Sequence, residues 1–243
     1  MKIGLLECDH VAEPLRHIAG DYREMFAAWL GRAEPQVSWE VFDVCRGQFP
    51  ASLDACDAYL CGGSRSSVYD DAGWIHSLKD FVGQASETGR PFVGICFGHQ
   101  MIAEALGGRT ARAAGGWGVG AERIELVRTE AWMQPPRPSC RLQFMHQDQV
   151  ESMPGQGVLL GRSAHCPVAM FRVGRAMLGI QAHPEFPAAY GEALILGRAA
   201  LIGDDRARAA GASLSQKIDG DLMAGWVAGF LAAHEAGRAE FHE

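Results

Sequence analysis

Short apolar runs alternate with amphipathic stretches of helical period through the first hundred residues. Lys2–Leu6 reads as a β-strand. Leu15, Ile18, Tyr22, Met25, Phe26, Trp29 and Leu30 then recur at helical spacing, predicting a helix over Pro14–Leu30 with the proline in its first turn. Val37–Val44 alternates as a strand and Asp57–Cys61 forms another. Ile75, Leu78, Phe81 and Val82 mark one face of a helix over Trp74–Ser86. Phe92–Ile95 is a further apolar strand, running straight into a helix-like stretch that ends at Leu106-Gly107-Gly108. Strand, helix, strand, helix in this order predicts an α/β fold with a mostly parallel sheet covered by helices on both faces. In such sheets chemistry gathers at the C-terminal ends of the strands.

The pattern changes past residue 108. Gly115–Gly120 reads as a flexible loop, and short β-like pieces follow at Ala121–Val127, Arg141–Met145, Val158–Arg162, Val168–Arg172 and Ala176–Ala182. They predict a small antiparallel extension of the same domain. Two helices are expected over about 187–202 and 214–235, joined by the polar stretch Gly203–Ser213, with a loose tail from 239.

Composition narrows the function classes. The 243 residues suit one α/β domain with an appended helical piece, and 48% hydrophobic content is ample for a core. A net charge of -7 argues against a nucleic-acid partner, which calls for a basic face. No run approaches the roughly 20 apolar residues of a membrane span, and the opening segment is too short and polar for a signal peptide. The seven cysteines are scattered without a C-x-x-C pair, which suits neither a disulfide framework nor a zinc site and fits a reducing cytoplasm. His165-Cys166 offers two adjacent ligands with no partners at zinc spacing, so no metal and no cofactor is expected.

Candidate chemistry centres on Gly94-Ile-Cys96-Phe-Gly98-His-Gln100. A strand that turns sharply into a helix exposes the residue at its corner and aims the helix N-terminus at it, and it needs small residues two before and two after. Cys96 is therefore read as a nucleophile. It requires a base, and His183, just past the last strand-like run, is the best placed of the nine histidines. Glu185 lies two residues on, where an extended backbone points it the same way, and can orient the imidazole. The N–H groups of Phe97 and of Gly63, in the Gly62-Gly63 strand end, are the candidate oxyanion donors. The remaining cysteines (8, 45, 56, 61, 140 and 166) read as buried small hydrophobes, and His99 as a packing residue.

These pieces, together with Cys61-Gly62-Gly63-Ser64 and Gln181-Ala-His183-Pro-Glu185, resemble the class I, triad-type glutamine amidotransferases. The resemblance implies a flavodoxin-like catalytic domain over 1–190, with 191–243 as a helical extension packed on it. It implies hydrolysis of the glutamine side-chain amide through a γ-glutamyl thioester on Cys96, releasing ammonia and glutamate, and a possible ammonia-accepting synthetase partner. His183 would be base and then acid, Glu185 its orienting group, and Gly63 and Phe97 the oxyanion hole. Gln100, Gly62 and His146 would contact substrate, with Asp148 and the Trp117–Gly120 loop lining the site.

Where the family's oxyanion loop often reads Ser-Gly-Gly-Pro, this chain continues as Ser64-Arg65-Ser66-Ser67-Val68-Tyr69-Asp70. That departure, and the absence of a fused synthetase domain, look more like the stand-alone branch that includes γ-glutamyl peptidases. A peptidase acting on glutathione-type γ-glutamyl peptides is thus the alternative, with Arg65 placed to meet a carboxylate. A catalytically silent regulatory module is the third reading.

Overall fold

The computed structural model describes residues 1–239; the 240–243 part of the tail expected to be loose lies outside the described residues. Eleven strands and eight α-helices follow in the order β1 (Lys2–Leu6), α1 (Arg16–Ala19), α2 (Tyr22–Leu30), β2 (Ser38–Phe42), β3 (Ala58–Cys61), α3 (Gly73–Glu87), β4 (Phe92–Ile95) and α4 (Phe97–Ala105). They continue as β5 (Arg109–Arg112), β6 (Gly118–Leu126), β7 (Ser139–His146), β8 (Asp148–Ser152), β9 (Gly157–Arg162), β10 (Met170–Val173) and β11 (Met177–Ile180). The last helices are α5 (Ala188–Gly197), α6 (Ala199–Ile202), α7 (Asp204–Ser213) and α8 (Gly220–Ala239).

Nine strands form one sheet in the order β2-β1-β3-β4-β11-β10-β9-β6-β7. The first five are mutually parallel, and β10, β9, β6 and β7 continue the same sheet antiparallel. The central strands β3, β4 and β11 are buried along their whole length and carry no charged residue, because both faces are covered. Their period of two sorts side chains between two cores. Ile3, Leu5, Leu60, Val93, Ile95, Leu178 and Ile180 face one side, with Phe26 and Trp29 of α2 and Trp226 and Phe230 of α8. Leu6, Tyr59, Cys61, Phe92 and Met177 face the other, with Leu78, Phe81 and Val82 of α3 and Met101 and Ile102 of α4. Trp29 donates its indole N–H to the Gly220 carbonyl at 2.9 Å, tying α2 to the start of α8.

Four expectations change. The helix expected over Pro14–Leu30 breaks at Gly20, whose φ is 78°, and restarts behind Asp21, which forms a capping box with Glu24. Gly118–Gly120, read as loop, begins β6 and pairs with His146–Phe144. The supposed linker Gly203–Ser213 contains α7, which opens on Asp204 and Asp205 and buries only Ala207 and Ala210. The small pair β5–β8, unpredicted, forms a separate two-stranded sheet beside the main one.

The strand order reverses direction between β1 and β3, the kind of switch point beside which α/β sheets bind ligands. The loops leaving these two strands meet there: Ser64 donates its hydroxyl to the Cys8 carbonyl at 3.0 Å.

Candidate active site

Cys96 sits between β4 and α4 with φ 53° and ψ -98°, and it is the one non-glycine with positive φ among the described residues. A conformation of this kind costs about 1–3 kcal/mol and persists only where the surroundings enforce it. Here the Cys96 N–H donates to the Ile180 carbonyl of β11 at 2.8 Å, and the Gly98 N–H donates to the Gly62 carbonyl at 3.2 Å. The glycines have a steric cause: a Cβ on Gly94 would strike the backbone of Gly98 and lie 2.7 Å from the His99 nitrogen. A Cβ on Gly98 would strike the Cys61 carbonyl.

His183 and Glu185 follow β11. The His183 N–H donates to the Gln143 carbonyl of β7 at 2.7 Å, fixing the backbone across the sheet. His183 donates from Nδ1 to the Glu185 carboxylate at 2.7 Å, and both side chains are buried. Burial alone would lower the pKa of His183. The charge of Glu185, then that of Cys96, with the hydrogen bond to Glu185, outweighs that and raises it to about 10.

Gly63 faces this pair: a Cβ there would come within 2.8 Å of His183 Cε1 and 3.8 Å of Cys96 Cβ. Neither the Gly63 nor the Phe97 N–H has a hydrogen-bond partner among the described residues. Gly62 has a different constraint, the Phe26 ring 3.0 Å from where its Cβ would be.

Cys96 opens onto a cleft of about 340 Å³ whose wall includes Gln100, Trp117, His146 and Asp148. Gln100 spends its amide N–H groups on the Asp148 carbonyl at 2.7 Å and on Gln181 at 3.1 Å. His146 donates from Nδ1 to the same carbonyl at 2.9 Å, and burial pushes its pKa down to about 3, so at neutral pH the ring is an uncharged imidazole. Ser67 donates its hydroxyl to the Asp148 carboxylate. The expected carboxylate role of Arg65 is displaced: its guanidinium donates to Asp9 from two nitrogens, each at 2.8 Å.

Two neighbours of the site escaped sequence reasoning. Phe186 stacks face to face on the His183 ring, with centroids 3.9 Å apart and planes 10° from parallel. Gln143 adds to its backbone bond a side-chain N–H donated to the Phe186 carbonyl at 2.6 Å, so it clamps both ends of the His183–Phe186 segment. The adjacency of Phe186 to His-Pro-Glu was the only available signal, and an aromatic in a turn has no periodicity to betray it.

Two groups have donors close enough to share a cation, His10 with Asp43 and Cys45, and Glu7 with His10 and Asp21. Their carboxylates already pair with Arg23, Arg16 and Arg46. His165, paired with Cys166 in the sequence, instead bonds the Gly116 carbonyl at 3.1 Å. No helix among the described residues is long and apolar enough to cross a membrane.

A largely parallel sheet with a strained cysteine at a strand–helix corner and a His–Glu pair just past the end of the neighbouring strand defines a class of protein. The family model for class-I glutamine amidotransferases matches residues 52–199, and the chain belongs to that family of enzymes. γ-Glutamyl peptidase 3 of Arabidopsis thaliana is 32% identical over 190 residues, covering 75% of each chain. The glutamine-hydrolysing GMP synthase of Pyrobaculum aerophilum is 30% identical over 70% of this chain but only 32% of its own length. A glutamine amidotransferase from Thermotoga maritima has the same fold, with a TM-score of 0.74 at 18% identity over 96% of this chain and 97% of that one.

Proposed function

We propose that the protein cleaves γ-glutamyl amide bonds through a thioester on Cys96, with His183 and Glu185 completing a triad. The observation that carries this reading is the strained Cys96 backbone beside a buried His183 hydrogen-bonded to Glu185. In the first step the Cys96 sulfur attacks the γ-carbonyl carbon after its proton has passed to His183. Negative charge collects on the carbonyl oxygen, where the partnerless N–H groups of Gly63 and Phe97 are the donors. His183 returns the proton to the leaving nitrogen as the C–N bond breaks, leaving the thioester. Water, deprotonated by His183, then attacks the thioester. The sulfur departs and glutamate is released. Glu185 holds the imidazole ring and stabilises its protonated form.

The leaving amine separates two versions of this chemistry. With ammonia the protein is a glutaminase, and an ammonia-accepting synthetase partner would be needed to use the product. With an amino acid or peptide it is a γ-glutamyl peptidase. The match to γ-glutamyl peptidase 3 spans three-quarters of both chains, whereas the GMP synthase match takes in about a third of that protein; this favours the peptidase version. A silent regulatory role is disfavoured by the complete set of groups. In this reading residues 1–190 are the catalytic unit and the later helices an extension of it.

The test is a substrate panel of glutamine, γ-glutamyl dipeptides and α-linked glutamyl dipeptides, assayed with wild type and Cys96→Ala. Cleavage of γ-linked substrates alone, lost by about 10⁴-fold in Cys96→Ala, is expected. Comparable turnover by Cys96→Ala would overturn the reading.

A further inference from the structure

The charge inside the cleft runs opposite to that of the whole molecule. The protein carries a net -7, yet the cleft beside Cys96 is walled by three arginines, Arg65, Arg112 and Arg198, and one carboxylate, Asp148. Arg65 is neutralised by Asp9, which accepts from its backbone N–H at 3.0 Å and from two guanidinium nitrogens. Arg112 and Arg198 make no ion pair among the described residues. They come from different elements: Arg112 ends β5, directly across from Asp148 in β8, and Arg198 caps the C-terminus of α5. Two uncommitted guanidiniums and one carboxylate therefore face a space of about 340 Å³, within the roughly 300–1,000 Å³ range of small-molecule sites.

That count discriminates between substrates. Glutamine presents one carboxylate and one ammonium. A γ-glutamyl peptide presents two carboxylates, one on the glutamyl α-carbon and one at the end of the leaving amine, and one ammonium. Two cations with one anion complement the second set and leave a cation over for the first. A guanidinium presents paired donors suited to a carboxylate, and an excess of positive charge in a cleft concentrates anions.

We infer that Arg112 and Arg198 form a two-point carboxylate-binding site, and that the substrate is a γ-glutamyl compound whose leaving amine carries a carboxylate of its own. This rests on the γ-glutamyl reading above and assigns the residues that recognise its leaving group. One arginine takes the glutamyl carboxylate and the other takes the leaving-group carboxylate, so the site measures the charge at the far end of the substrate.

The experiment compares γ-glutamylglycine with γ-glutamylglycinamide, which differ only in the terminal carboxylate, in wild type and in Arg112→Gln/Arg198→Gln. Both side chains are solvent-accessible, so folding is not at stake. Wild type is expected to favour the acid over the amide by roughly 10–100-fold in kcat/KM, the range for one hydrogen-bonded charge pair. In the double variant that ratio falls to near one. A wild-type ratio near one, or a preference unchanged in the double variant, overturns the inference while leaving the γ-glutamyl reading intact. Wild-type failure to cleave glutamine, acid and amide alike sinks that reading and this inference with it.

Discussion

Glu185 shows how much one buried carboxylate does here. It accepts from His183 Nδ1 and forms no other ion pair among the described residues, and together with Cys96 it outweighs a desolvation that alone would lower the pKa of the imidazole. Glu185→Gln keeps the shape and removes the charge. It is expected to lower kcat by roughly 10²–10⁴-fold, as when the orienting carboxylate of other triads is neutralised. The pKa of His183 then drops, so the alkaline limb of the rate profile moves to lower pH; a limb that stays in place contradicts this role. The same shift bears on stability. Because the folded value of about 10 lies above the ordinary 6.5, the contribution is complete below about pH 6.5 and fades as pH rises towards 10. Phe186 belongs to the same scale. Phe186→Leu removes the face-on stack and is expected to reduce kcat by roughly 3–10-fold with a smaller effect on KM, the size of an aromatic pair contribution. Steady-state kinetics on any γ-glutamyl substrate measures it.

At the scale of elements the corner between β4 and α4 is the most constrained feature, and it was legible in the sequence because its constraint is compositional. Gly94 and Gly98 announce a near-collision of strand and helix whatever surrounds them. Gly94→Ala drives a methyl into the Gly98 backbone on one side of a fully buried strand. It is expected to destabilise the fold by about 1–3 kcal/mol and lower the midpoint of thermal melting. An unchanged melting temperature would mean the corner is more plastic than its packing indicates. Other elements were less legible. Arg109–Arg112 and Asp148–Ser152 carry too few apolar residues to signal strands, and only their mutual pairing makes them so. In α7 two buried alanines replace the usual apolar stripe, so the segment reads as a linker. The single helix expected over Pro14–Leu30 missed the Asp21–Glu24 capping box inside it.

At the scale of the whole molecule, the alternation of strands and amphipathic helices was legible along the chain, and Cys96, His183 and Glu185 stood out through local motifs. What brings them together is tertiary: β11 enters the sheet next to β4, so His183 arrives beside Cys96 from 87 positions later in the chain (183 minus 96). No local pattern specifies that neighbour relation, nor the commitment of Arg65 to Asp9, which lies 56 residues away. The C-terminal helix is part of the same cooperative unit, since Trp226 and Phe230 are buried in the core that contains Cys96. Trp226→Ala is accordingly expected to cost about 3–5 kcal/mol in equilibrium unfolding. A loss below 1 kcal/mol would show that α8 is dispensable to the core.

In the proposed reaction Cys96 becomes covalently attached to a γ-glutamyl group during turnover. Rapid acid quenching of wild type with a γ-glutamyl dipeptide, followed by mass analysis of the proteolysed chain, tests it most directly. The expected result is a mass increase of one glutamyl unit on the peptide that contains Cys96, absent from Cys96→Ala and discharged by hydroxylamine. Steady turnover with the glutamyl mass on any other residue, or with full activity in Cys96→Ala, would contradict it.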